Sequence, residues 1–254
     1  MILKKKIIDK LNNPPFFKVL KNNSKDENLK ASFFKEATKL GRIRSQNKKN
    51  SKIIEITPDL KKIKNLKKRN KKIKKELRYH QTNLGGSIHS DGPQLSIPPK
   101  YVIMACQENS LSGGDTVLVN TRKIFNYLAK NKKDFLNTLS SDYLFERRGF
   151  NYKNNNVFEK PIFLKKGKLF LFRYLRDYIE KGYLLKKEKI SKKKKKSLDY
   201  LDKLLSEKKF NKRLKLKKGD YIVFNNHILA HGRTTFRLSS KSNIGRKLFR
   251  IWLN

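Results

Sequence analysis

A histidine and an aspartate two positions apart, His89 and Asp91, constrain this chain of 254 residues more than any other feature. On an extended strand, residues i and i+2 point to the same face, so both side chains can reach one cation. Neutral imidazole and ionised carboxylate suit Fe(II), Mn(II) or Zn(II). Two protein ligands make a weak site, so a distant segment has to fold back and supply a third.

The third ligand has few possible sources, because the chain contains only four histidines. Two of them, His227 and His231, lie near the C-terminus, after the apolar run 221–224. His227 follows two asparagines in a turn, where it can cap or hydrogen-bond locally. His231 lies beside Gly232, which lets other groups approach closely. We therefore predict that His231 completes a site of two histidines and one carboxylate, the ligand set of many non-haem iron oxygenases.

The net charge of +43 has two interpretations. A basic balance is typical of proteins that bind nucleic acids or anionic surfaces, and the lysine-rich stretches 61–77 and 185–197 would then be the contacts. However, of the 64 basic residues only 14 are arginines, which leaves 50 lysines, and asparagine, isoleucine and phenylalanine are also plentiful. These are the residues that AT-rich codons specify. We therefore favour genome composition over a nucleic-acid partner as the source of the charge.

Length and composition predict a soluble protein with a sizeable core. The chain is 37% hydrophobic, and it fits one large domain or two small ones. Cys106 is the single cysteine, so an intrachain disulfide is impossible and a reducing compartment is expected. No apolar run reaches the roughly 18 residues of a membrane span. We expect a cytoplasmic protein, and the sequence leaves its oligomeric state open.

Short β-prone runs dominate the C-terminal two thirds of the chain. They occur at 101–106, 117–119, 169–174, 221–224 and 248–253, and helical spacing is found at 30–40, 121–129 and 198–205. This pattern predicts a mainly β fold with helical insertions, a β-sandwich or jelly roll, and not a βαβ sheet. Residues 1–79 are predicted to be a lysine-rich segment of helices and loops that packs on a core of residues 80–254, within one structural domain overall.

Three local features make this prediction more specific. Gly41 is expected to stop the helix at 30–40, and Thr121 to cap the helix at 121–129. The five consecutive lysines at 192–196 are expected to form a surface loop.

Five segments, taken together, resemble the TauD/TfdA family of dioxygenases. They are HSDGPQ (89–94), SGGDTVLV (112–119), GDYIVFNN (219–226), HGRTTF (231–236) and GRKLFRIWL (245–253). Each segment alone is a weak signal, but five in this order and separation are specific. The resemblance covers about residues 80–254, and residues 1–79 resemble the family only loosely.

The resemblance implies a double-stranded β-helix core, which is a jelly-roll, cupin-like fold, holding one Fe(II). The family's iron ligands fall on His89, Asp91 and His231. Its residues for the distal carboxylate of 2-oxoglutarate fall on Thr116 and Arg246. The implied reaction uses O2 and 2-oxoglutarate as cosubstrates, hydroxylates a substrate C–H and releases succinate and CO2.

The substrate is expected to be a small, anionic metabolite. Arg250 falls on a position that helps to hold the anionic head of the substrate in taurine-oxidising members of the family. Arg173 is a second candidate for substrate binding, because its guanidinium could line a pocket for an anionic group. At Gly85 the chain departs from those members, which have a substrate-contacting asparagine there, so the resemblance does not extend to taurine itself.

Three other interpretations remain open at this point. A basic nucleic-acid-binding protein would use the lysine blocks, but it has no need of the ligand set. A zinc hydrolase on the same three ligands would want a general acid or base beside the bound water, and neither motif is flanked by one. An oxygenase with a macromolecular substrate would use the lysines for docking.

Overall fold

The computed structural model describes residues 2–21, 28–58, 85, 87–110, 112–148, 155–237 and 246–254. The fold is mainly β with helical insertions, which confirms the predicted fold class. The basic stretch 61–77 lies outside the described residues, and so does the predicted boundary between residues 79 and 80. The division into an N-terminal segment and a core therefore stays a prediction.

The elements follow one another in an order that alternates groups of strands with helices. The strands are β1 (Phe17–Leu20), β2 (Ile43–Arg44), β3 (Ile54–Ile56), β4 (Tyr101–Glu108), β5 (Thr116–Asn120), β6 (Asp142–Glu146), β7 (Val157–Pro161), β8 (Phe163–Lys166), β9 (Leu169–Phe172), β10 (Asn211–Leu214), β11 (Tyr221–Asn225), β12 (Leu229–Arg233) and β13 (Lys247–Leu253). The helices are α1 (Ile2–Asn12), α2 (Leu29–Leu40), α3 (Thr121–Asn131), α4 (Lys133–Leu139), α5 (Arg176–Leu185) and α6 (Lys192–Ser206).

Two antiparallel sheets form the core. The larger has the strand order β1-β11-β4-β13-β2, with β3 also paired to β13, and the smaller has the order β10-β5-β12. Two hairpins, β6–β7 and β8–β9, stand apart from them. Strands β1, β2 and β3 come from the first 56 residues and are hydrogen-bonded into the same sheet as the C-terminal strand β13.

The large sheet is apolar on both faces, and its side chains alternate between two cores. In β4 the odd-numbered residues pack with α1 and α2, whereas the even-numbered residues share a core with the small sheet. The same alternation runs through β13, where Phe249 and Ile251 face the helices and Leu248 and Trp252 face the small sheet. A strand covered on both faces reads as a continuous apolar run, as β4 does. The inner face of β13 is thereby directed into the interior.

Helix α2 begins and ends near the predicted positions, but Gly41 acts differently from expectation. Its backbone is extended, with φ −178°, so it is not a left-handed cap. A β carbon at this position would lie 2.6 Å from the carbonyl oxygen of Asn254. Glycine is therefore required by the close approach of the C-terminal backbone.

The predicted N-cap at Thr121 is wrong. The cap of α3 is Asn120, whose side chain accepts from the backbone N–H of Lys123 at 3.0 Å. The hydroxyl of Thr121 is buried and instead donates to the carbonyl oxygen of Ile228 at 2.7 Å. Both residue types favour the cap position, and the tertiary partner of Thr121 decided between them.

The predicted surface loop at the five lysines is also wrong, because these lysines form the first turns of α6. Ser191 caps the helix by accepting from the N–H of Lys194. Lysine is a good helix former, and leucines further along α6 are buried against the core. Packing of that apolar face stabilises the helix as a unit and carries it back through the lysines.

No helix in the described residues is both long and apolar enough to cross a membrane.

Phe33 fixes α2 to the large sheet, and its loss should be costly. It is fully buried, and its ring lies 5.4 Å from that of Tyr221 on β11. We expect Phe33→Ala to lower the free energy of unfolding by about 3–5 kcal/mol, because it leaves a cavity in the core. Urea denaturation of Phe33→Ala and of the half-buried neighbour Phe34→Ala measures the difference. Equal losses in the two variants would contradict this packing.

His227 should make the stability of the protein depend on pH. Burial lowers the pKa of His227 below its usual value, although its ring also contacts the carbonyl oxygen of Pro98 at 3.2 Å. Below about pH 6.5 the unfolded chain binds a proton that the folded chain does not, so stability falls as the pH falls. We expect the loss of stability between pH 6.5 and 5 to be shallower in His227→Gln, by up to about 1.4 kcal/mol per pH unit. Identical slopes in urea denaturation would contradict the effect.

Candidate metal centre

The two candidate histidine ligands face each other across a backbone pair. The N–H of His89 donates to the carbonyl oxygen of His231 at 2.9 Å, and the N–H of His231 donates back at 2.7 Å. This isolated antiparallel bridge joins the segment before β4 to β12. It brings the two rings to a centroid distance of 4.4 Å.

Asp91 is held by a buried asparagine that the sequence analysis did not single out. The backbone N–H of Asp91 donates to Oδ1 of Asn226 at 2.8 Å. The amide of Asn226 donates in turn to the carbonyl oxygens of Asp91 and Pro99, at 3.0 and 2.9 Å. Asn226 is fully buried, so it ties the aspartate loop to the end of β11. In the sequence, Asn226 lies just after an apolar run and between two polar neighbours, and this position carries no signal for such a role.

His89, Asp91 and His231 form a group that fits a metal ion. All three are buried, and one ligand atom from each lies within 4.8 Å of the others. Nδ1 of His89 donates to the carbonyl oxygen of Ser87 at 2.9 Å, which leaves Nε2 as the lone-pair nitrogen. In the described part of the chain, neither ring nitrogen of His231 has a hydrogen-bond partner. Buried polar atoms normally have a hydrogen-bond partner, and a bound metal would supply a partner for one of these two nitrogens.

The electrostatics of the site keep the donors in their ligating forms. Burial lowers the pKa of His231 to about 3, and the neighbouring His89 adds to the effect. Burial also lowers the pKa of His89, against the attraction of Asp91. Neutral imidazole is the form that binds metals. Both histidines are therefore ready to bind at neutral pH without losing a proton.

Strand β13 contacts both oxygens of the Asp91 carboxylate. Nη1 of Arg250 donates to Oδ1 at 2.6 Å, and the indole Nε1 of Trp252 donates to Oδ2 at 3.0 Å. Burial alone would raise the pKa of Asp91, but the charge of Arg250 leads the attractions that outweigh it, and the pKa is lowered. The carboxylate is therefore ionised.

Thr116 and Arg246 lie together at a second point of the site. Nε of Arg246 donates to the carbonyl oxygen of Gly114 at 3.0 Å, and Nη2 lies 3.5 Å from Oγ1 of Thr116. Gly114 has φ +72°, and a β carbon there would lie 3.1 Å from Cδ of Arg246. The glycine is therefore required both by the turn and by the approach of the arginine.

A single cavity connects the histidines with Thr116 and Arg246. It offers about 30 Å³ in this structure, which is room for roughly one or two water molecules. Its wall also includes Arg233, which the sequence analysis did not select. Arg233 lies two residues after His231 on β12, and in the register it pairs with Thr116 of β5. The i, i+2 spacing from a predicted ligand is the signal that could have identified it.

The two predicted substrate-binding arginines have different surroundings. Arg250 lies against Asp91, and its Nε donates to Oε1 of Gln46 at 2.9 Å. Arg173 is buried, and it donates to the carbonyl oxygens of Pro93, Leu95 and Ser96. These contacts hold the loop that follows Asp91. A substrate-binding role for Arg173 stays a prediction, and none of these three contacts is to a residue of the cavity wall.

Curated enzymes with related sequences include the γ-butyrobetaine dioxygenases of Homo sapiens and Pongo abelii. Each is 24% identical to this chain over 159 residues, which is 61% of this chain and 41% of the enzyme. The matched part thus spans less than half the length of these relatives.

Solved structures with similar folds include those of iron oxygenases. Asparagine oxygenase, in complex with Fe(II), 3-hydroxyasparagine and succinate, has a TM-score of 0.71 at 12% identity, covering 99% of this chain and 79% of its own. The non-haem iron oxygenase OrfP, in complex with Fe and α-ketoglutaric acid, has a TM-score of 0.67 at 11% identity, covering 100% and 78%. The predicted jelly-roll core is thereby confirmed.

The family comparison bears on the interpretations that the sequence left open. The model of the taurine catabolism dioxygenase TauD, TfdA family matches residues 37–252, which includes every candidate ligand. This match does not favour a basic nucleic-acid-binding protein. The predicted resemblance is confirmed, and the chain belongs to the TauD/TfdA family.

Proposed function

We propose that the chain is an Fe(II)- and 2-oxoglutarate-dependent dioxygenase that hydroxylates a C–H of a small, anionic metabolite. One observation carries the proposal: His89 and His231, which form a buried group with Asp91, line a cavity that Thr116 and Arg246 also line. The two histidines and the aspartate suit a metal ion, and Thr116 and Arg246 suit the carboxylate of a ligand. An enzyme of this class needs both in one cavity.

In this proposal, His89, Asp91 and His231 hold Fe(II). Two neutral imidazoles and one carboxylate leave open coordination positions, as the non-haem Fe(II) oxygenases require. When bound, the iron and 2-oxoglutarate supply O2-dependent oxidative decarboxylation, which yields succinate and CO2 and drives hydroxylation. The hydrogen bond from His89 to Ser87 fixes the ring and its tautomer.

The distal carboxylate of 2-oxoglutarate would bind to Arg246 and Thr116. A guanidinium matches a carboxylate with two parallel hydrogen bonds, and Nε of Arg246 is already oriented by Gly114. We add Arg233 to this set, because it is buried in the same wall and directly opposite Thr116 in the strand register.

Apolar side chains complete the cavity wall. They are Ile56, Met104 and Leu248. Such side chains lower the local dielectric constant, so the attraction between a guanidinium and a carboxylate is stronger there than at the surface. The cavity therefore favours an anion that reaches from the metal to the arginines.

The substrate is proposed to carry an anionic group that Arg250 binds. Arg250 lies beside the metal ligand Asp91, and its side chain is 15% exposed. The related proteins are named for, or hold, γ-butyrobetaine, 3-hydroxyasparagine and 3-hydroxyarginine, and each of these compounds has a carboxylate. A substrate screen therefore starts with γ-butyrobetaine, asparagine and arginine.

A reducing, cytoplasmic location is part of the proposal. The single cysteine, Cys106, is a buried free thiol, and burial raises its pKa to about 11. A thiol of this kind is chemically inert.

The proposed function is tested without oxygen. Fe(II) and then 2-oxoglutarate are added to metal-free protein, and the weak visible charge-transfer band of the chelated iron is recorded. We expect a band in the wild type, no band in His231→Ala or Asp91→Ala, and a weakened band in Arg246→Ala. Absence of a band in folded wild-type protein would contradict the proposal. Succinate release in air then ranks the screened substrates.

The cosubstrate residues are tested by affinity. In anaerobic titrations, Arg246→Ala should weaken the binding of 2-oxoglutarate by on the order of 10- to 100-fold, because a charge-assisted hydrogen bond contributes about 1.5–3 kcal/mol. Arg233→Ala should weaken it in the same direction, while both variants keep the wild-type affinity for Fe(II) alone. Unchanged 2-oxoglutarate affinity in both would place the cosubstrate elsewhere.

A further inference from the structure

We propose that Trp252 is a positioning residue that orients the metal-ligating carboxylate of Asp91, and that it therefore reports metal binding directly. The inference rests on the proposed metal site. Its basis is one buried hydrogen bond, from the indole Nε1 of Trp252 to Oδ2 of Asp91 at 3.0 Å.

The carboxylate of Asp91 needs such a partner. The terminal torsion of an aspartate is broad and roughly two-fold, so the backbone alone does not fix the plane of its oxygens. Each oxygen has two acceptor sites, so an N–H leaves a lone pair for the metal. Trp252 donates a hydrogen bond to one oxygen, and Arg250 donates to the other. Together they define the carboxylate plane.

The two donors differ in how they tolerate a cation. Arg250 is positively charged, and its Nη1 donates to Oδ1 of Asp91 at 2.6 Å. A divalent metal held by Asp91 would repel the guanidinium. Trp252 donates through a neutral N–H and adds no charge. When metal binds, Trp252 is the donor that keeps its place, and Arg250 becomes available to an anionic substrate.

The position of Trp252 is also rigid. Its side chain is 2% exposed and belongs to the main core. It lies on β13, two residues after Arg250, so both side chains point to the same face. The strand itself is paired along its length with β4. A ligand held by such an element is pre-organised for the metal.

The test uses Mn(II), full-length protein and two independent readouts. Trp252 is the only tryptophan in the chain, so all tryptophan fluorescence comes from beside the metal ligand. An open-shell ion within a few ångströms quenches an excited indole. We expect wild-type fluorescence to fall on titration with Mn(II), with the same Kd that equilibrium dialysis gives.

The variant that tests the hydrogen bond is Trp252→Phe, which keeps an aromatic ring and removes the N–H. We expect its Kd for Mn(II) by dialysis to be weaker by on the order of 10-fold, as for loss of other partners of metal ligands. The matched control is Phe249→Leu on the opposite face of β13, which packs in the other core. It should keep the wild-type Kd and the quenching.

The outcomes separate the inference from the proposed function. If wild-type protein binds no Mn(II) by dialysis, the metal site itself fails. If it binds Mn(II) but the fluorescence does not change, or if Trp252→Phe binds as tightly as the wild type, only the role of Trp252 is overturned. Should Trp252→Phe fail to fold, the wild-type and Phe249→Leu titrations still decide whether quenching and binding coincide.

Discussion

The backbone pair between His89 and His231 is the interaction on which the site depends. Two hydrogen bonds join a loop before β4 to a strand near the end of the chain. They place two imidazoles side by side and bring Asp91 within reach of both. Because backbone pairing fixes the positions of the two Cα atoms, the loop that carries His89 and Asp91 is held against β12, which carries His231. This is how a weak two-residue motif becomes a buried site of three ligands.

Strand β13 connects the site to the stability of the fold. On one face Phe249 and Ile251 pack against the helices, and on the other Arg250 and Trp252 contact Asp91. Arg246, just before the strand, reaches Thr116. The candidate metal ligand Asp91 and the proposed cosubstrate and substrate contacts are thus aligned by one rigid element. The N-terminal strands β2 and β3 support that element by pairing with it, and Gln46 extends the contact to Arg250.

Sequence patterns predicted the strands well and the local chemistry less well. Apolar runs such as 101–106 and 221–224 are strands because they are buried on both faces, and this burial is visible in the sequence itself. The predictions of a helix cap at Thr121 and of a surface loop at the five lysines were wrong. In each case a contact distant in sequence, from Ile228 or from the core beneath α6, outweighed a local preference. Asn226 and Arg233 were missed because their roles depend on partners that only the fold supplies.

The candidate ligand types, the sheet-forming runs and the family were predictable from the sequence, because they depend on residue identity and short-range spacing. Arg250 and Arg173 were both predicted to bind substrate, with Arg250 ahead of Arg173. The fold gives them different surroundings, because Arg250 donates to the candidate metal ligand Asp91 and Arg173 donates to loop carbonyls. It also revealed the indole of Trp252 on Asp91. The direction in which a buried polar side chain donates is decided by the nearest acceptor in space, and spacing along the chain does not encode that acceptor.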